Sequence, residues 1–251
     1  MVIRHAVILA GGLGTRIQPV LGDTPKLLAE IAGKSFLEWK IAELETNGIE
    51  TITLLVGNGA EKIVEFANDL SLSVKLRFFH DGREPLGTGG AVLRAIQHLP
   101  ERFFLTYGDT LLDLPYQELS DARERYEADS CMAVTSTIDR SDPNNVLVQD
   151  SIVIDHNKSL PELMNAMDYG LMLLSGPSLK SMSSNNRQEG TSLDLSHLIA
   201  QHCRLHRVAA YWTDFKFWEI GSPDSFSEVK KEIERRREIS STEHAGYGSG
   251  I

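Results

Sequence analysis

Apolar and polar positions in the first half of the chain alternate between strand-like and helix-like patterns. Continuous apolar runs predict buried strands, and apolar residues spaced three and four apart predict helices. The predicted strands are 5–10, 51–57, 73–80, 102–109 and 131–137, and the predicted helices are 36–48, 60–69, 89–99 and 116–128. This order predicts an α/β fold, with a Rossmann-like, mostly parallel sheet and helices on both faces.

The pattern becomes less regular after about residue 140. Short strands are predicted at 145–150, 151–156, 169–174 and 207–212, together with a helix at 192–202. A last helix, 224–237, begins after Ser222 and Pro223, which are typical helix-start residues. We therefore predict a single domain over residues 1–238, with a first half of about 1–137, a second half of about 138–238 and a flexible tail over 239–251.

A glycine-rich loop, LAGGLGTRIQPVLGDTPKLL at 9–28, follows the first predicted strand. A dinucleotide fingerprint here would require glycine at position 17, but the residue is Ile17. It would also require a helix directly after the loop, which Pro19 and Pro25 disfavour. The Gly-Lys-Ser/Thr of a P-loop is also absent. In parallel sheets, ligands bind beyond the carboxyl ends of the strands, where both this loop and Asp109 belong. We expect the loop to fold over a triphosphate.

Several motifs resemble those of the sugar-1-phosphate nucleotidyltransferases. The loop contains their GGxGTR and PK signature, EPLGTGGA at 84–91 resembles their second nucleotide loop, and YGDT at 107–110 resembles their metal-binding Gly-Asp. MDYGLMLL at 167–174 and WEIGSPDSF at 218–226 resemble their sugar-site strand and closing motif. The resemblance covers roughly residues 4–237 and is closest to the heptose-1-phosphate guanylyltransferase type. It implies a GT-A-like nucleotidyltransferase fold with a nucleotide-binding first half and a smaller, mixed α+β sugar-binding and closing part.

The resemblance implies that an NTP and a sugar 1-phosphate react to give an NDP-sugar and pyrophosphate. The nucleophile is a phosphate oxygen that is already ionised, because its second pKa is about 6, so no general base is required. The matching positions imply that Arg16 holds the β- and γ-phosphates and that Lys26 stabilises the α-phosphate. Asp109 and Glu219 would bind Mg²⁺. The family commonly has Asp at the second metal position, so Asp214 remains an alternative to Glu219.

The same resemblance implies two sets of binding residues. The nucleotide-binding set is Leu9, Ala10, Gly11, Gly12, Gly14, Thr15, Glu84, Gly87, Thr88 and Gly89. The sugar-phosphate-binding set is Lys158, Asp168, Tyr169 and Gly170. Lys158 can also be read as an ordinary loop lysine. Met167 and Leu171 are expected in the core.

Glu84 is the residue from which we predict a preference for GTP. In the family pattern the residue before PLGTGG lies beside the base. Guanine presents two adjacent donors, N1–H and the exocyclic amino group, and one carboxylate accepts both. Uracil and thymine present carbonyl groups that a carboxylate would repel. Glu84 can alternatively contact the ribose or cap the turn before Pro85. The resemblance to the heptose type indicates GTP independently.

Composition and charge narrow the possible partners. The 251-residue chain has a formal net charge of −10, and its densest basic patch, Arg235–Arg237, lies in a Glu-rich predicted helix. We therefore expect no nucleic-acid partner. No apolar run approaches the ~20 residues that span a bilayer, so we expect no membrane association and a cytoplasmic location. Cys131 and Cys203 are expected in the core. The expected partners are an NTP and a sugar 1-phosphate, with a homo-oligomer as a possibility.

Two other functions remain open at this point. A glycosyltransferase of related architecture would use an NDP-sugar rather than make one, and such enzymes usually carry Asp-x-Asp, which this sequence lacks. A non-catalytic sugar-nucleotide sensor is expected to have lost Arg16, Lys26 or Asp109, and all three are present.

Overall fold

A computed structural model describes residues 2–12, 14–57, 59–80, 82, 86–136, 143–183, 192–205 and 207–246. In the first half the elements are β1 (His5–Ala10), α1 (Gln18–Leu21), β2 (Glu30–Ile31), β3 (Lys34–Ser35), α2 (Phe36–Thr46), β4 (Thr51–Val56), α3 (Ala60–Asn68), β5 (Lys75–His80), α4 (Gly87–Ala95), β6 (Arg102–Tyr107), β7 (Thr110–Leu112), α5 (Gln117–Arg125) and β8 (Ser130–Thr135). The second half contains β9 (Val146–Gln149), β10 (Ile152–His156), β11 (Met167–Ser175), α6 (Gly176–Ser183), α7 (Leu195–Cys203), β12 (Val208–Trp212), β13 (Phe217–Glu219) and α8 (Pro223–Gly246).

One mixed sheet joins the two predicted halves. Among the described residues its nine strands lie in the order β5-β4-β1-β6-β11-β8-β12-β10-β9. Strands β5, β4, β1 and β6 are parallel neighbours, and β12 is parallel to β8. Strand β11 pairs antiparallel with both β6 and β8, so the second half contributes a strand to the middle of the sheet. The predicted α/β class and mostly parallel sheet are confirmed.

The differences from the predicted elements are local. Helices α1 and α6 and the short strands β2, β3, β7 and β13 were not predicted. Helix α8 runs to Gly246, beyond the predicted end of the last helix at 237, and the flexible tail over 239–251 stays a prediction. Its Glu- and Arg-rich sequence suits a solvated helix, because oppositely charged side chains three and four residues apart pair along it: Arg235 and Arg236 both bind Glu232. Among the described helices, none is both long and apolar enough to cross a bilayer.

Helix α2 begins at a capping box and packs one face into the core. Ser35 Oγ accepts the amide N–H of Glu38 at 3.2 Å, and Glu38 Oε2 accepts the amide N–H of Ser35 at 2.8 Å. The apolar residues of the helix, Phe36, Leu37, Ile41 and Leu44, are buried. They help form a core layer on one face of the sheet.

The second core layer lies on the other face of the sheet, where α4, α6 and α7 pack. Cys203 belongs to this layer, and Cys131 to the first. Both cysteines are buried, as predicted, and both are free. Met167 and Leu171 are also buried, which confirms that they are core residues. The central strands are therefore covered on both faces, as a mostly parallel sheet requires.

Candidate active site

The glycine-rich loop lines a cavity of about 590 Å³ at the carboxyl ends of β1 and β6. This is the sheet edge at which the sequence placed both the loop and Asp109. Residues of the predicted site that line the cavity are Leu9, Ala10, Gly11, Gly12, Gly14, Thr15, Lys26, Thr88 and Asp109. Tyr107 also lines it. The structure therefore brings the first loop, the start of α4 and the Gly-Asp turn into one cleft.

Local constraints determine the course of the loop. Gly14 has φ = 62°, a left-handed conformation that favours glycine. Its carbonyl accepts the amide N–H groups of Ile17 and Gln18 at 3.2 and 3.1 Å. The Ile17 side chain is buried and anchors the loop, and α1, which begins with Pro among its first residues, is a single turn. A Cβ at position 14 would lie 3.3 Å from Lys26 Cε, so glycine at this position leaves room for the Lys26 side chain.

Lys26 and Asp109 form an ion pair inside the cleft. Lys26 Nζ donates to Asp109 Oδ2 at 2.8 Å, and the two side chains are 19% and 29% exposed. Pro25 precedes the 3₁₀ turn that contains Lys26, and buried Leu27 anchors that turn. The amide N–H of Gly108 donates to the Leu9 carbonyl at 2.9 Å, and a Cβ at this glycine would lie 2.9 Å from the same oxygen. Glycine therefore permits the close approach that brings Asp109 to the loop.

A small antiparallel ribbon places Glu219 beside Asp109. Strand β13 pairs with β7 so that Glu219 lies opposite Thr110, and the amide N–H of Ile220 donates to the Asp109 carbonyl at 2.9 Å. Arg16 Nη2 lies 3.8 Å from Glu219 Oε1, and the Arg16 side chain is 75% exposed. Asp214, the alternative metal residue, lies exposed in the segment before β13. Glu219 thus lies on the strand that pairs with β7, directly after Asp109, whereas Asp214 lies before that strand.

Asp109 and Glu219 fit a hard divalent cation that retains water and phosphate ligands. Lys26 engages only Oδ2 of Asp109, and Oδ1 has the Thr110 hydroxyl at 3.4 Å. Within the described part of the chain, no group of three or more His, Cys, Asp or Glu side chains forms a complete metal centre. Mg²⁺ commonly needs only one or two carboxylates besides substrate phosphates. The donor set is compatible with such an ion.

The second glycine loop packs against the segment before α7. The amides of Gly89 and Gly90 donate to the Leu193 carbonyl at 2.9 and 3.2 Å, and Thr88 Oγ1 accepts the amide N–H of Leu195 at 2.9 Å. A Cβ at Gly87 would lie 2.5 Å from the Leu193 oxygen. The Gly89 amide is therefore used in packing, and the nucleotide-binding role of Gly89 stays a prediction. Glu84 lies outside the described residues.

Asp168 is the centre of a polar cluster at the start of β11. Its Oδ1 accepts the amide N–H of Gly170 at 2.8 Å, and its own amide donates to Asn145 Oδ1 at 2.8 Å. Tyr107 Oη lies 3.4 Å and His156 Nε2 lies 3.7 Å from Asp168 Oδ2. Burial raises the pKa of the Tyr107 hydroxyl well above its usual range, so this group remains a donor. The cluster offers both donors and an acceptor of hydrogen bonds.

Tyr169 does not share the environment of Asp168. Its side chain is 1% exposed, and its ring packs edge-on against Phe217 with ring centroids 5.5 Å apart. Its hydroxyl donates to the Lys216 carbonyl at 3.0 Å. The Tyr169 side chain is therefore packed in the core, and a role for this residue in sugar binding stays a prediction.

His156 and Tyr107 are residues that the sequence reasoning missed. Burial lowers the pKa of His156, and the nearby Asp168 carboxylate only partly opposes this shift. Both His156 ring nitrogens are buried without a hydrogen-bond partner among the described residues. The histidines are scattered along the sequence without a motif. In the structure His156 lies opposite Val146, and Val146 also bridges to Ala166 just before β11, which brings His156 near Asp168.

Lys158 lies on the side of the cleft formed by α4 and α7. Its Nζ is 3.9 Å from Asp194 Oδ1, and both side chains are about half exposed, at 57% and 48%. Asp194 caps α7 by accepting the amide N–H of Ser196 at 2.8 Å. Since the segment around Asp194 packs on the second glycine loop, Lys158 is held close to that loop.

Comparison with known proteins identifies the family. The MobA-like NTP transferase domain matches residues 6–175. D-glycero-alpha-D-manno-heptose 1-phosphate guanylyltransferase of Campylobacter jejuni is 30% identical over 224 residues, covering 88% of this chain and 96% of that protein. The enzyme of the same name from Aneurinibacillus thermoaerophilus is 25% identical over 231 residues, covering 92% of this chain and 98% of that protein.

A solved structure agrees with this result. The inositol-1-phosphate CTP transferase from T. maritima is similar to this chain with a TM-score of 0.78 and 25% identity, covering 92% of this chain and 95% of that chain. Enzymes of this family typically use a divalent metal ion. The chain therefore belongs to the MobA-like NTP transferase family, and it is a nucleotidyltransferase of the sugar-1-phosphate type that its sequence motifs predicted.

Proposed function

We propose that this protein transfers GMP from GTP to a heptose or hexose 1-phosphate, giving a GDP-sugar and pyrophosphate. The observation that carries this proposal is the Lys26–Asp109 pair, with a 2.8 Å contact inside a glycine-lined cleft. The named relatives that support the choice of GTP and heptose are the two heptose 1-phosphate guanylyltransferases, which match nearly their full length.

The proposed reaction depends on positioning and charge. The sugar phosphate is already ionised and attacks the α-phosphate in line with the departing pyrophosphate. Lys26 would stabilise the charge that develops on the α-phosphate, and its 19% exposure strengthens this interaction because less water screens it. Arg16 is 75% exposed, so its guanidinium can turn from Glu219 to the β- and γ-phosphates. No residue needs to act as a general base.

Asp109 and Glu219 would hold the divalent cation, and Mg²⁺ is the ion best suited to carboxylate and phosphate oxygens. When bound there, Mg²⁺ supplies positive charge to the phosphate oxygens of the nucleotide. The contribution of the chain is geometric, because the β7–β13 pairing and the hydrogen bond from Ile220 to the Asp109 carbonyl fix the backbone segments that carry the two carboxylates.

The sugar would bind near Asp168, and its phosphate near Lys158. The Asp168 carboxylate can accept hydrogen bonds from sugar hydroxyls, while Gly170, with φ = 94°, allows the strand to turn around it. The protonated Tyr107 hydroxyl, which lines the cleft beside Asp168, can bind a further hydroxyl, while buried His156 packs behind Asp168. Lys158 is the cation in this region and would exchange its Asp194 partner for the sugar phosphate.

GTP is expected to be the preferred nucleotide. With GTP, ATP, UTP, CTP and dTTP at equal concentration and a heptose or hexose 1-phosphate as acceptor, the GDP-sugar should be the main product. The proposed reason is the Glu84 carboxylate, which would accept both guanine donors, whereas an amide such as Gln suits uracil or thymine better. Glu84→Gln is therefore expected to lower the preference for GTP over UTP.

Mass analysis of the NDP-sugars from this competition measures the preference directly. Glu61→Gln is a matched control, because Glu61 is an exposed glutamate in the first turn of α3. It should leave the ratio of products unchanged. A main product that contains uridine, cytidine or thymidine would refute the choice of GTP. Unchanged GTP selectivity in Glu84→Gln would refute the role of Glu84 alone.

A further inference from the structure

A lysine is buried inside α2, behind the cleft. Lys40 is 0% exposed, and its ammonium group is surrounded by hydrogen-bond acceptors. Nζ donates to Glu43 Oε1 and Oε2, each at 3.1 Å, to Thr106 Oγ1 at 3.1 Å and to the Thr110 carbonyl at 2.8 Å. An ammonium has three protons, so the carboxylate, the hydroxyl and the backbone carbonyl use all of them.

Glu43 extends this network to the other end of β7. Its Oε2 accepts the amide N–H of Leu112 at 3.0 Å, and its Oε1 accepts the Tyr116 hydroxyl at 2.6 Å. Lys40 holds the first residue of β7, and Glu43 holds the last. The ion pair thus connects α2 to both ends of a three-residue strand.

The two proposed metal carboxylates lie next to that strand. Asp109 directly precedes β7, and Glu219 lies opposite Thr110 on β13. The Thr110 carbonyl is bound by Lys40, and the Asp109 carbonyl by the Ile220 amide. We infer that the buried Lys40–Glu43 pair is a positioning device, which holds the β7–β13 ribbon so that Asp109 and Glu219 bind a divalent cation together. This inference rests on the proposed metal role of those two carboxylates.

Stability is a poor explanation for this pair. Burial lowers the pKa of Lys40 and raises that of Glu43, and the attraction between the two opposes both shifts. Taking two charges out of water costs free energy that their attraction commonly only offsets, and well-packed apolar residues are often as good. An apolar pair could not bind a specific carbonyl and a specific amide, whereas this pair does. Geometric precision at β7 is therefore what the charges add.

The test is the binding of Mn²⁺ alone, measured as the loss of the free Mn²⁺ signal in electron paramagnetic resonance. Lys40→Met keeps the length of the side chain but removes its charge. We expect it to weaken Mn²⁺ binding by about 10-fold or more, because the loss of residues that orient metal ligands commonly lowers affinity by this amount. The Mg²⁺ concentration for half-maximal activity should rise in parallel, and excess Mg²⁺ should restore much of kcat. The KM for the sugar phosphate should stay within about twofold.

Two further variants separate positioning from general packing. Ile41→Val changes a buried neighbour in α2 without touching the network, and it should keep Mn²⁺ affinity within about twofold even if it lowers the melting temperature. Tyr116→Phe removes only the hydroxyl bound to Glu43, so it should give a smaller loss of affinity than Lys40→Met.

Four outcomes would overturn the inference, and two of them concern the proposed metal role as well. Folded Lys40→Met with unchanged Mn²⁺ affinity overturns it. If Lys40→Met does not fold, Glu43→Gln takes its place, and unchanged affinity in that isosteric variant has the same meaning. Asp109→Asn is the separate reference for the metal site. If the unaltered protein binds no Mn²⁺, or if Asp109→Asn binds it equally well, the metal role fails, and the inference fails with it.

Discussion

Replacing Lys26 with alanine is expected to lower kcat by roughly 10² or more, because the charge that Lys26 stabilises develops only in the transition state. The Lys26 ammonium is mostly shielded from water and lies 2.8 Å from Asp109, so it is held inside the cleft. The fold should survive. Lys26 is partly exposed, and its Asp109 partner, at 29% exposure, can be solvated when the lysine is removed.

Initial rates of pyrophosphate release would measure kcat and KM, and thermal unfolding would confirm the fold. Lys75→Ala is the matched control, because Lys75 is an exposed lysine on the edge strand β5, away from the cleft. That control should retain the activity of the unaltered protein. Near-normal turnover in folded Lys26→Ala would remove Lys26 from the catalytic residues.

Asp109→Asn is expected to lower activity to a similar degree, by roughly 10². Asn keeps the shape of the side chain but removes the charge that attracts a divalent cation, and carboxylate oxygens are preferred ligands of Mg²⁺. The Mg²⁺ concentration needed for half-maximal rate should rise by about 10-fold or more, so that the defect is largest at low Mg²⁺. EDTA in excess should abolish the activity of the unaltered protein.

Rates measured over a range of Mg²⁺ concentrations would test this expectation. Asp121→Asn is the matched control, because it makes the same change at an exposed position in α5. Among the hydrogen bonds described, the Asp121 side chain bonds only to the Gln117 side chain. This variant should have no effect on the rate. Full activity of Asp109→Asn at low Mg²⁺ would exclude Asp109 as a metal ligand. Undiminished activity in EDTA would exclude the divalent cation itself.

The sequence was sufficient for the features that depend on local patterns. Strand β1 is a continuous apolar run and β6 has an apolar centre, and their carboxyl ends carry the loop and the Gly-Asp turn. The carboxyl ends of neighbouring parallel strands lie at the same edge of the sheet, so the proximity of Lys26 and Asp109 could be predicted from the sequence. The glycine spacing of the loop is likewise a local feature.

Features that depend on distant contacts could not be predicted. The position of β11 between β6 and β8 depends on which strands pair with it, and local sequence does not determine that pairing. Strands of three residues, such as β7 and β13, are too short to show an alternation of apolar and polar residues. Lys40 lies in a helix, where lysine usually indicates a solvent-facing position, because lysine is rarely buried. The core position of Tyr169 depends on which face of β11 it occupies, and the irregular pairing of β11 with β8 obscures that alternation.

The measurement that tests the central claim most directly is the stoichiometry of the reaction. The purified protein is incubated with GTP, Mg²⁺ and a panel of heptose and hexose 1-phosphates, and both products are quantified by ³¹P NMR and mass spectrometry. A nucleotidyltransferase must form GDP-sugar and pyrophosphate in equal amounts, and only when both substrates are present. The account would be contradicted if only GDP and inorganic phosphate formed. It would also be contradicted if no sugar 1-phosphate reacted and the protein instead consumed a supplied GDP-sugar in the absence of pyrophosphate.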